Sequence, residues 1–332
     1  MAITGNASYI PTMNEFIPHW GQCNAALAPA TLLVRLSDNT TKTQAQFVTL
    51  RDLIQTQQSA VQAALTAQQI ARGAIFLKKI ELLTWFNMFN SLLDGYFQNT
   101  DFYAARPYAP VITAGQEAFT RPMVDAMNLW QSINDGSAPA GVTLPLVLGD
   151  GTDRGGFASA VSALQFLYSD ERKKAQDLTL AQAKRNRSED TAYETMKAYR
   201  EAVPGRLTEF PELIDTLPRL TPLPGHTPDA VNASAVFQAP NATKVVYDAS
   251  NDLLLARYEL RGTVGDHYDE DDAVVIATHA PTDPREFVTT FGLNQPGAEI
   301  ALKVFVVLTT GNEAGSAAMV VERPANIELL AA

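Results

Sequence analysis

The sequence predicts an α+β protein in two parts, an elongated antiparallel helical bundle followed by an all-β sandwich. Three observations carry that expectation. Two stretches of about 50 residues, 43 to about 93 and about 155 to 202, hold no proline and space their apolar residues near the helical period. The segments leading into these stretches resemble one another, so the helical part reads as a degenerate internal repeat over about 10–98 and 120–202. Beyond Pro228 the pattern changes to short apolar runs with turn residues every 8–12 positions, the spacing of an antiparallel sandwich.

Composition narrows the function classes. Among 332 residues, 46% are hydrophobic, enough to fill sizeable cores, and 25 basic residues against 36 acidic ones give a formal charge of -11. That balance argues against nucleic acid or an anionic membrane as partner. One cysteine, Cys23, excludes an intramolecular disulfide framework, and four histidines make a His-rich metal centre unexpected. No apolar run reaches the roughly 18 residues of a membrane helix, so membrane insertion is not expected. Met1-Ala2-Ile3-Thr4-Gly5-Asn6 lacks the basic flank and apolar stretch of a signal peptide. The expectation is synthesis in the cytoplasm, with export by another route or display at the cell surface left open.

The first long helix starts where Thr43 and Gln46 stand at capping-box spacing, and its stripe runs through Phe47, Leu50, Ile54, Val61, Leu65, Phe76, Ile80 and Leu83. At 1.5 Å per residue, about 50 residues make a rod of roughly 75 Å, which needs a partner of similar length. The second long helix supplies it, with Asp153 as N-cap and Phe157, Val161, Leu164, Tyr168, Met196 and Tyr199 in its stripe. Its charged runs, Asp170-Glu171-Arg172-Lys173-Lys174 and Lys184-Arg185-Asn186-Arg187-Ser188-Glu189-Asp190, read as a solvated face. Each long helix is preceded by the same series: a short helix ending near Trp20 or Trp130, then Ala-Pro-Ala nine residues on, then a small hairpin turning at Asp38-Asn39 or Asp150-Gly151. The two tryptophans are expected to plug the core.

Between Pro204 and Pro228, four further prolines (Pro211, Pro218, Pro222 and Pro224) preclude a continuous helix. Residues 204–232 are expected to form an ordered, partly extended connector, with Leu207, Phe210, Leu213, Ile214 and Leu217 docking a short turn. Strands are expected at 235–238, 244–248, 253–262, 273–279, 286–292, 299–308 and 317–322, with a tail at 325–332.

Residues 233–324 resemble a fibronectin type III domain. The resemblance rests on Val245-Val246-Tyr247-Asp248-Ala249-Ser250, Ala256-Arg257-Tyr258-Glu259-Leu260 with Gly262, Leu293, Pro296-Gly297, Leu302-Lys303-Val304-Phe305-Val306-Val307 and the turn Gly311-Asn312-Glu313-Ala314-Gly315-Ser316. It departs from the family at Tyr247, where a tryptophan is usual, at Ile300, where the corner tyrosine belongs, and by one extra residue between Leu293 and Pro296. The resemblance implies a binding or spacer module without catalytic activity.

Chemistry-bearing patterns are sparse. Asp266-His267-Tyr268-Asp269-Glu270-Asp271-Asp272 carries five carboxylates and is a weak calcium candidate through Asp266, Asp269, Glu270, Asp271 and Asp272, though it lacks the EF-hand spacing. Residues 235–332 hold 14 acidic and 6 basic side chains, so most of the negative charge sits there. His19 and Cys23 share one helical face but show no third orienting group. Gly149-Asp150-Gly151-Thr152 lacks the Lys-Ser/Thr pair of a phosphate loop. No catalytic residue and no cofactor is expected. Phe102, Tyr103 and Tyr108 form an aromatic segment that could plug a neighbouring molecule or close its own rod end. The functional expectation is a non-catalytic structural protein that assembles with itself into a filament, tube or lattice. The alternative is a binding or adhesion module whose sandwich contacts a protein or glycan.

Overall fold

The computed structural model describes residues 3, 5–222, 225–270 and 272–324. Pro224, Asp271 and the tail at 325–332 therefore lie outside the described residues. The chain forms two compact units, unit 1 from Met1–Gln69 with Asp177–Ala332 and unit 2 from Ile70–Gln176, and the division falls inside both long helices.

A 3-10 turn at Asn6–Ser8 leads into α1 (Tyr9–Ala26), a small hairpin of β1 (Val34–Arg35) and β2 (Thr41–Lys42), α2 (Gln44–Tyr96) and the single turn α3 (Asp101–Ala104). The order then recurs as α4 (Gln116–Asn134), α5 (Arg154–Arg206) and the short α6 (Pro211–Asp215). Thr43 and Gln46 do form the capping box that starts α2: the Gln46 amide donates to Thr43 Oγ1 at 3.2 Å and the Thr43 amide to Gln46 Oε1 at 3.0 Å. Asp153 caps α5 through the Gly156 amide at 2.7 Å. Pro204, expected to lie beyond the helix, sits inside the last turn of α5. A proline there removes one ladder bond, while Val203 and Leu207 on either side are buried and hold the turn in place.

The repeat is far more regular in three dimensions than in sequence. An offset of 110 residues matches its helical parts: Trp20 to Trp130, Phe47 to Phe157, Phe89 to Tyr199, Leu93 to Val203 and Phe97 to Leu207, all buried. The hydrogen bonds repeat as well. Trp20 Nε1 donates to the Leu32 carbonyl at 3.2 Å and Trp130 Nε1 to the Leu146 carbonyl at 3.1 Å. Asn24 Oδ1 accepts from the Leu32 amide, and Asn134 Oδ1 from the Leu146 amide, both at 2.8 Å. In the turns Asn39 and Gly151 take positive φ, 65° and 89°, residues that tolerate the left-handed region. The second hairpin is reduced to a single bridge, Val147 to Asp153, because two fewer residues separate Leu146 from the turn.

Each unit has its own helical core. In unit 1 it comprises α1, the hairpin, the start of α2 and the end of α5, with Phe16, Trp20, Phe47, Met196 and Tyr199 at its centre. The connector belongs to it: Leu213, Ile214 and Leu217 lie against this cluster as expected, and Leu220 is buried in it. In unit 2 the core comprises the end of α2, α4 and the start of α5, with Phe86, Phe89, Trp130 and Phe157. Trp20 lies 4.7 Å from Tyr199 and 5.7 Å from Phe47, and Trp130 lies 5.0 Å from Phe89 and 5.9 Å from Phe157 (ring centroids).

Unit 1 also carries the sandwich. One sheet orders β3 (Ala233–Gln238), β4 (Ala242–Tyr247) and β7 (Glu286–Thr289); the other orders β10 (Met319–Glu322), β8 (Glu299–Leu308), β5 (Leu255–Val264) and β6 (Val274–His279), with β9 (Glu313–Gly315) also on β8. All pairs are antiparallel. Three strands facing four in this order is the fibronectin type III arrangement, so the C-terminal part has the fold its residues resemble. β10 falls within the expected last strand, 317–322, whereas β9 lies in Gly311–Ser316, expected as a turn; Ser316, just after β9, exchanges hydrogen bonds with the backbone of Val304. Tyr247, at the usual tryptophan position, is buried between Tyr258 and Phe287, with ring centroids at 4.8 and 5.1 Å. Ile300, at the corner tyrosine position, is fully buried.

Candidate functional site

Unit 1 holds a cavity of about 890 Å³ between the sandwich and the helical part. Its walls are the end of the 3-10 turn (Ser8), the start of α1 (Pro11, Glu15) and the chain after α6 (Leu217, Pro218, Arg219). The floor is a face of β5. Arg257, Glu259 and Arg261 alternate along that strand, so all three side chains point one way while Tyr258 and Leu260 enter the sandwich core.

These charges are tied to one another. Arg257 Nε donates to Glu259 Oε1 at 2.6 Å, and Arg261 Nη2 to Glu259 Oε2 at 2.6 Å. Arg261 also grips Glu313 through Nη1 and Nη2, at 2.8 and 2.6 Å. Its guanidinium carbon lies 4.1 Å from the centroid of Phe305. Burial alone would push Glu259 up, but the charge and hydrogen bonds of Arg261 and Arg257 hold its carboxyl below the usual carboxylate range. The arrangement presents a fixed pattern of charge to whatever enters the cavity. The sequence signal for this floor is the polar-apolar alternation of Arg257-Tyr258-Glu259-Leu260-Arg261, residues that also carry the family resemblance.

The acidic loop has a different setting. Asp272 reaches α5, accepting from Gln182 Nε2 at 2.5 Å and standing 3.6 Å from Arg185 Nη2. Glu270 stands 3.6 Å from Lys303, and Asp266 and Asp269 are exposed. Asp271 lies outside the described residues. Tyr268 is buried against Phe305, with Lys303 Nζ 4.6 Å above its ring. Among the described residues no group of three His, Cys, Asp or Glu side chains is placed to hold a metal ion.

The charged run on α5 is not uniformly solvated, contrary to the sequence reading. Arg185, Ser188 and Glu189 are buried. Helix amphipathicity alone misses this because residues distant in sequence, among them Asp272, meet that part of α5. Burial pushes the Glu189 carboxyl up to about 7, against the opposing pull of Arg185 and of a hydrogen bond from Gln58. In unit 2, Lys79 is the buried charge at the matching position of the other repeat. Its ammonium donates to the carbonyls of Ile112 and Ala114 at 3.0 and 2.8 Å and lies 5.0 Å from the centroid of Phe119, while burial lowers its pKa.

The remaining candidates separate. Phe102 and Tyr103 pack against the unit 2 core, whereas Tyr108 is exposed. His19 and Cys23 do meet a third group, Tyr199, whose hydroxyl lies 2.7 Å from His19 Nδ1 and 3.2 Å from Cys23 Sγ. The cluster is buried, the other ring nitrogen of His19 is 2.8 Å from the Leu213 carbonyl, and burial pushes the thiol up. This is the chemistry of a structural polar knot rather than of a thiolate nucleophile. No helix among the described residues is long and apolar enough to cross a membrane.

Comparison with solved structures finds partial likenesses. A fibronectin-type-III-like protein from Clostridium thermocellum is 19% identical over 29% of this chain and 92% of its own, with a TM-score of 0.24. The FN5 domain of Drosophila Lar is 21% identical over 30% of this chain and all of its own, also at 0.24. Pectate lyase PelI from Erwinia chrysanthemi is 17% identical over 28% of this chain, again at 0.24, and this chain spans 28% of that enzyme's length. No protein-family model matches the chain, and no curated protein matches it.

Proposed function

We propose that the chain is a non-catalytic structural protein that assembles with copies of itself. The observation that carries this reading is the set of large apolar side chains left on the surface of an otherwise well-filled, duplicated scaffold. Tyr108 is 88% exposed and Phe166 71%, and Leu77 and Val111 are exposed as well, all within unit 2. In a protein of formal charge -11, uncovered apolar groups of this size favour a protein surface as partner over nucleic acid or an anionic membrane. Sedimentation velocity and negative-stain electron microscopy across a concentration series test it. Growth into regular filaments or sheets is the expected result, and a uniform monomer at every concentration overturns the reading.

A second reading, a binding module, is favoured by the cavity above β5 with its charged floor. It expects a monomer or small oligomer that captures a protein or glycan through the sandwich.

A further inference from the structure

We infer that the docking of the sandwich onto α5 is a pH-sensitive latch: Arg185 holds Asp272, of the loop between β5 and β6, while Glu189 is protonated, and the hold loosens once Glu189 ionises. The latch lies wholly within unit 1. The helical core and the sandwich core share no buried apolar side chain among the described residues. Between them lie the cavity above β5, the contact of β6 with the Asn6–Ser8 turn, and the polar contacts of Asp272 with α5. An attachment made this way responds to charge.

Arg185 is the centre of that contact. It is 3% exposed, and its guanidinium stands between two carboxyl groups. Nη2 is 3.6 Å from Asp272 Oδ1, and Nε is 3.8 Å from Glu189 Oε2. Nε and Nη2 also donate to Asn186 Oδ1, at 3.1 and 2.8 Å, which fixes the plane of the guanidinium. Asp272 is held from its other side by Gln182 Nε2, which donates to Oδ2 at 2.5 Å. One positive charge therefore serves two acids. With Glu189 protonated, Arg185 and Asp272 balance. With Glu189 ionised, two carboxylates draw on one guanidinium in a place that water barely reaches.

The other neighbours of Glu189 add to the cost of that second charge. On α5 itself, Asp190 is a further negative group beside it. From α1, Tyr9 faces it, with Tyr193 of α5 next to Tyr9. From α2, Gln58 supplies one neutral hydrogen bond, and Glu189 Oε1 has no hydrogen-bond partner among the described residues. Of the groups named, Arg185 alone is a cation, and Asp272 shares it.

The cost is relieved on the sandwich side. One turn from Glu189, Gln58 and Tyr9 stand Ala192, Ile54 and Met13, all fully buried in the helical core, so α5, α2 and α1 are held together there. The loop that carries Asp272 is instead fixed to the sandwich, where Tyr268 and Ala273 pack with Phe305 of β8. Lifting Asp272 moves the loop with the sandwich, lets water reach Glu189 and widens the cavity above β5. Burial in the docked chain carries the Glu189 carboxyl up to about 7. A state that raises a carboxyl in this way is favoured below the raised value and loses that advantage above it, so the latch closes at pH 6 and loosens at pH 8.

Hydrogen exchange of the full-length chain tests the latch, measured by mass spectrometry at pH 6 and pH 8 and corrected for the intrinsic pH dependence of exchange. Amides of the loop between β5 and β6 report on docking, and those of β4, on the other sheet, control for global opening. In wild type, protection of the loop relative to β4 is expected to fall by about tenfold from pH 6 to pH 8. Glu189→Gln, which copies the neutral carboxyl, is expected to keep the pH 6 protection at both. Asp272→Asn, in a partly exposed loop, is expected to show the loosened loop at both. Circular dichroism checks that each variant is folded. Constant protection in wild type overturns the inference. A fall of the same size in Glu189→Gln also overturns it, because all four histidines remain in that variant and are then responsible. Asp272→Asn with wild-type protection at pH 6 overturns it as well, since the loop is then held elsewhere.

Discussion

Glu189 is the residue whose environment departs furthest from what its sequence neighbours suggest. It is 3% exposed, its Oε1 has no hydrogen-bond partner among the described residues, and its carboxyl rises from the ordinary 4.5 to about 7 through burial. Arg185, on the same face one turn earlier, stands 3.8 Å away and opposes the rise; Asp190 adds to it. From α1, Tyr9 shares the field, and its own pKa is pushed up to about 12 by burial and by Glu189. Between pH 4.5 and 7 the folded chain therefore holds a proton that the unfolded chain has released. Stability from this group is complete below 4.5, falls as pH rises toward 7 and is level above it, by about 3 kcal/mol in total. Glu189→Gln is expected to remove that fall. Urea midpoints at pH 5 and pH 8 check it: wild type loses more stability between the two than the variant does. Equal losses would show that Glu189 is already ionised at pH 5 in the folded protein.

At the scale of elements, the tryptophan hook is the unit that the repeat preserves. Each hook closes a short helix onto the segment entering the long helix, through one indole-to-carbonyl bond and one asparagine-to-amide bond. Trp20→Phe and Trp130→Phe each strand a buried carbonyl and leave a small void, at a cost of about 2–3 kcal/mol. The expected result is similar losses at the two sites in chemical denaturation. A loss confined to one site would mean that the second repeat no longer depends on its hook. The hooks were legible in the sequence because Trp, Ala-Pro-Ala and the Asp-Asn or Asp-Gly turn keep their spacing. So were both long helices and most of the strands, whose periodicity reports a local geometry. The buried Lys79 and Glu189 were not, since whether a charge is covered depends on residues far away in sequence. The second hairpin failed for a related reason: two fewer residues left its turn without room for paired strands. The cavity floor was half legible, its alternation visible on β5 but its partner Glu313 supplied by a strand about 50 residues later.

At the scale of the whole molecule, three large apolar clusters lie among the described residues, beside a smaller one of Tyr268, Ala273, Ala301, Phe305 and Val307. One belongs to unit 2, one to the helical part of unit 1, and one to the sandwich. The first two draw on both long helices, so neither repeat has a complete core of its own. Leu82, Phe86 and Phe89 of the first repeat complete the core around Trp130, and Ala192, Met196 and Tyr199 of the second complete the core around Trp20. The sandwich cluster is different, because all its buried members fall between Val231 and Val321. Its attachment to the helical part runs through a cavity and through polar contacts such as Gln182 and Arg185 with Asp272. Polar contacts of that kind contribute little to the stability of a core they only touch. Residues 225–324 expressed alone are therefore expected to fold, giving a β-type circular dichroism spectrum and one cooperative thermal transition. Residues 1–103 alone, which lack the partner helix for both cores, are expected to give no cooperative transition. A noncooperative melt of the sandwich fragment would show that its core needs the helical wall, and an intact fold of the single repeat would show that α2 does not need α5.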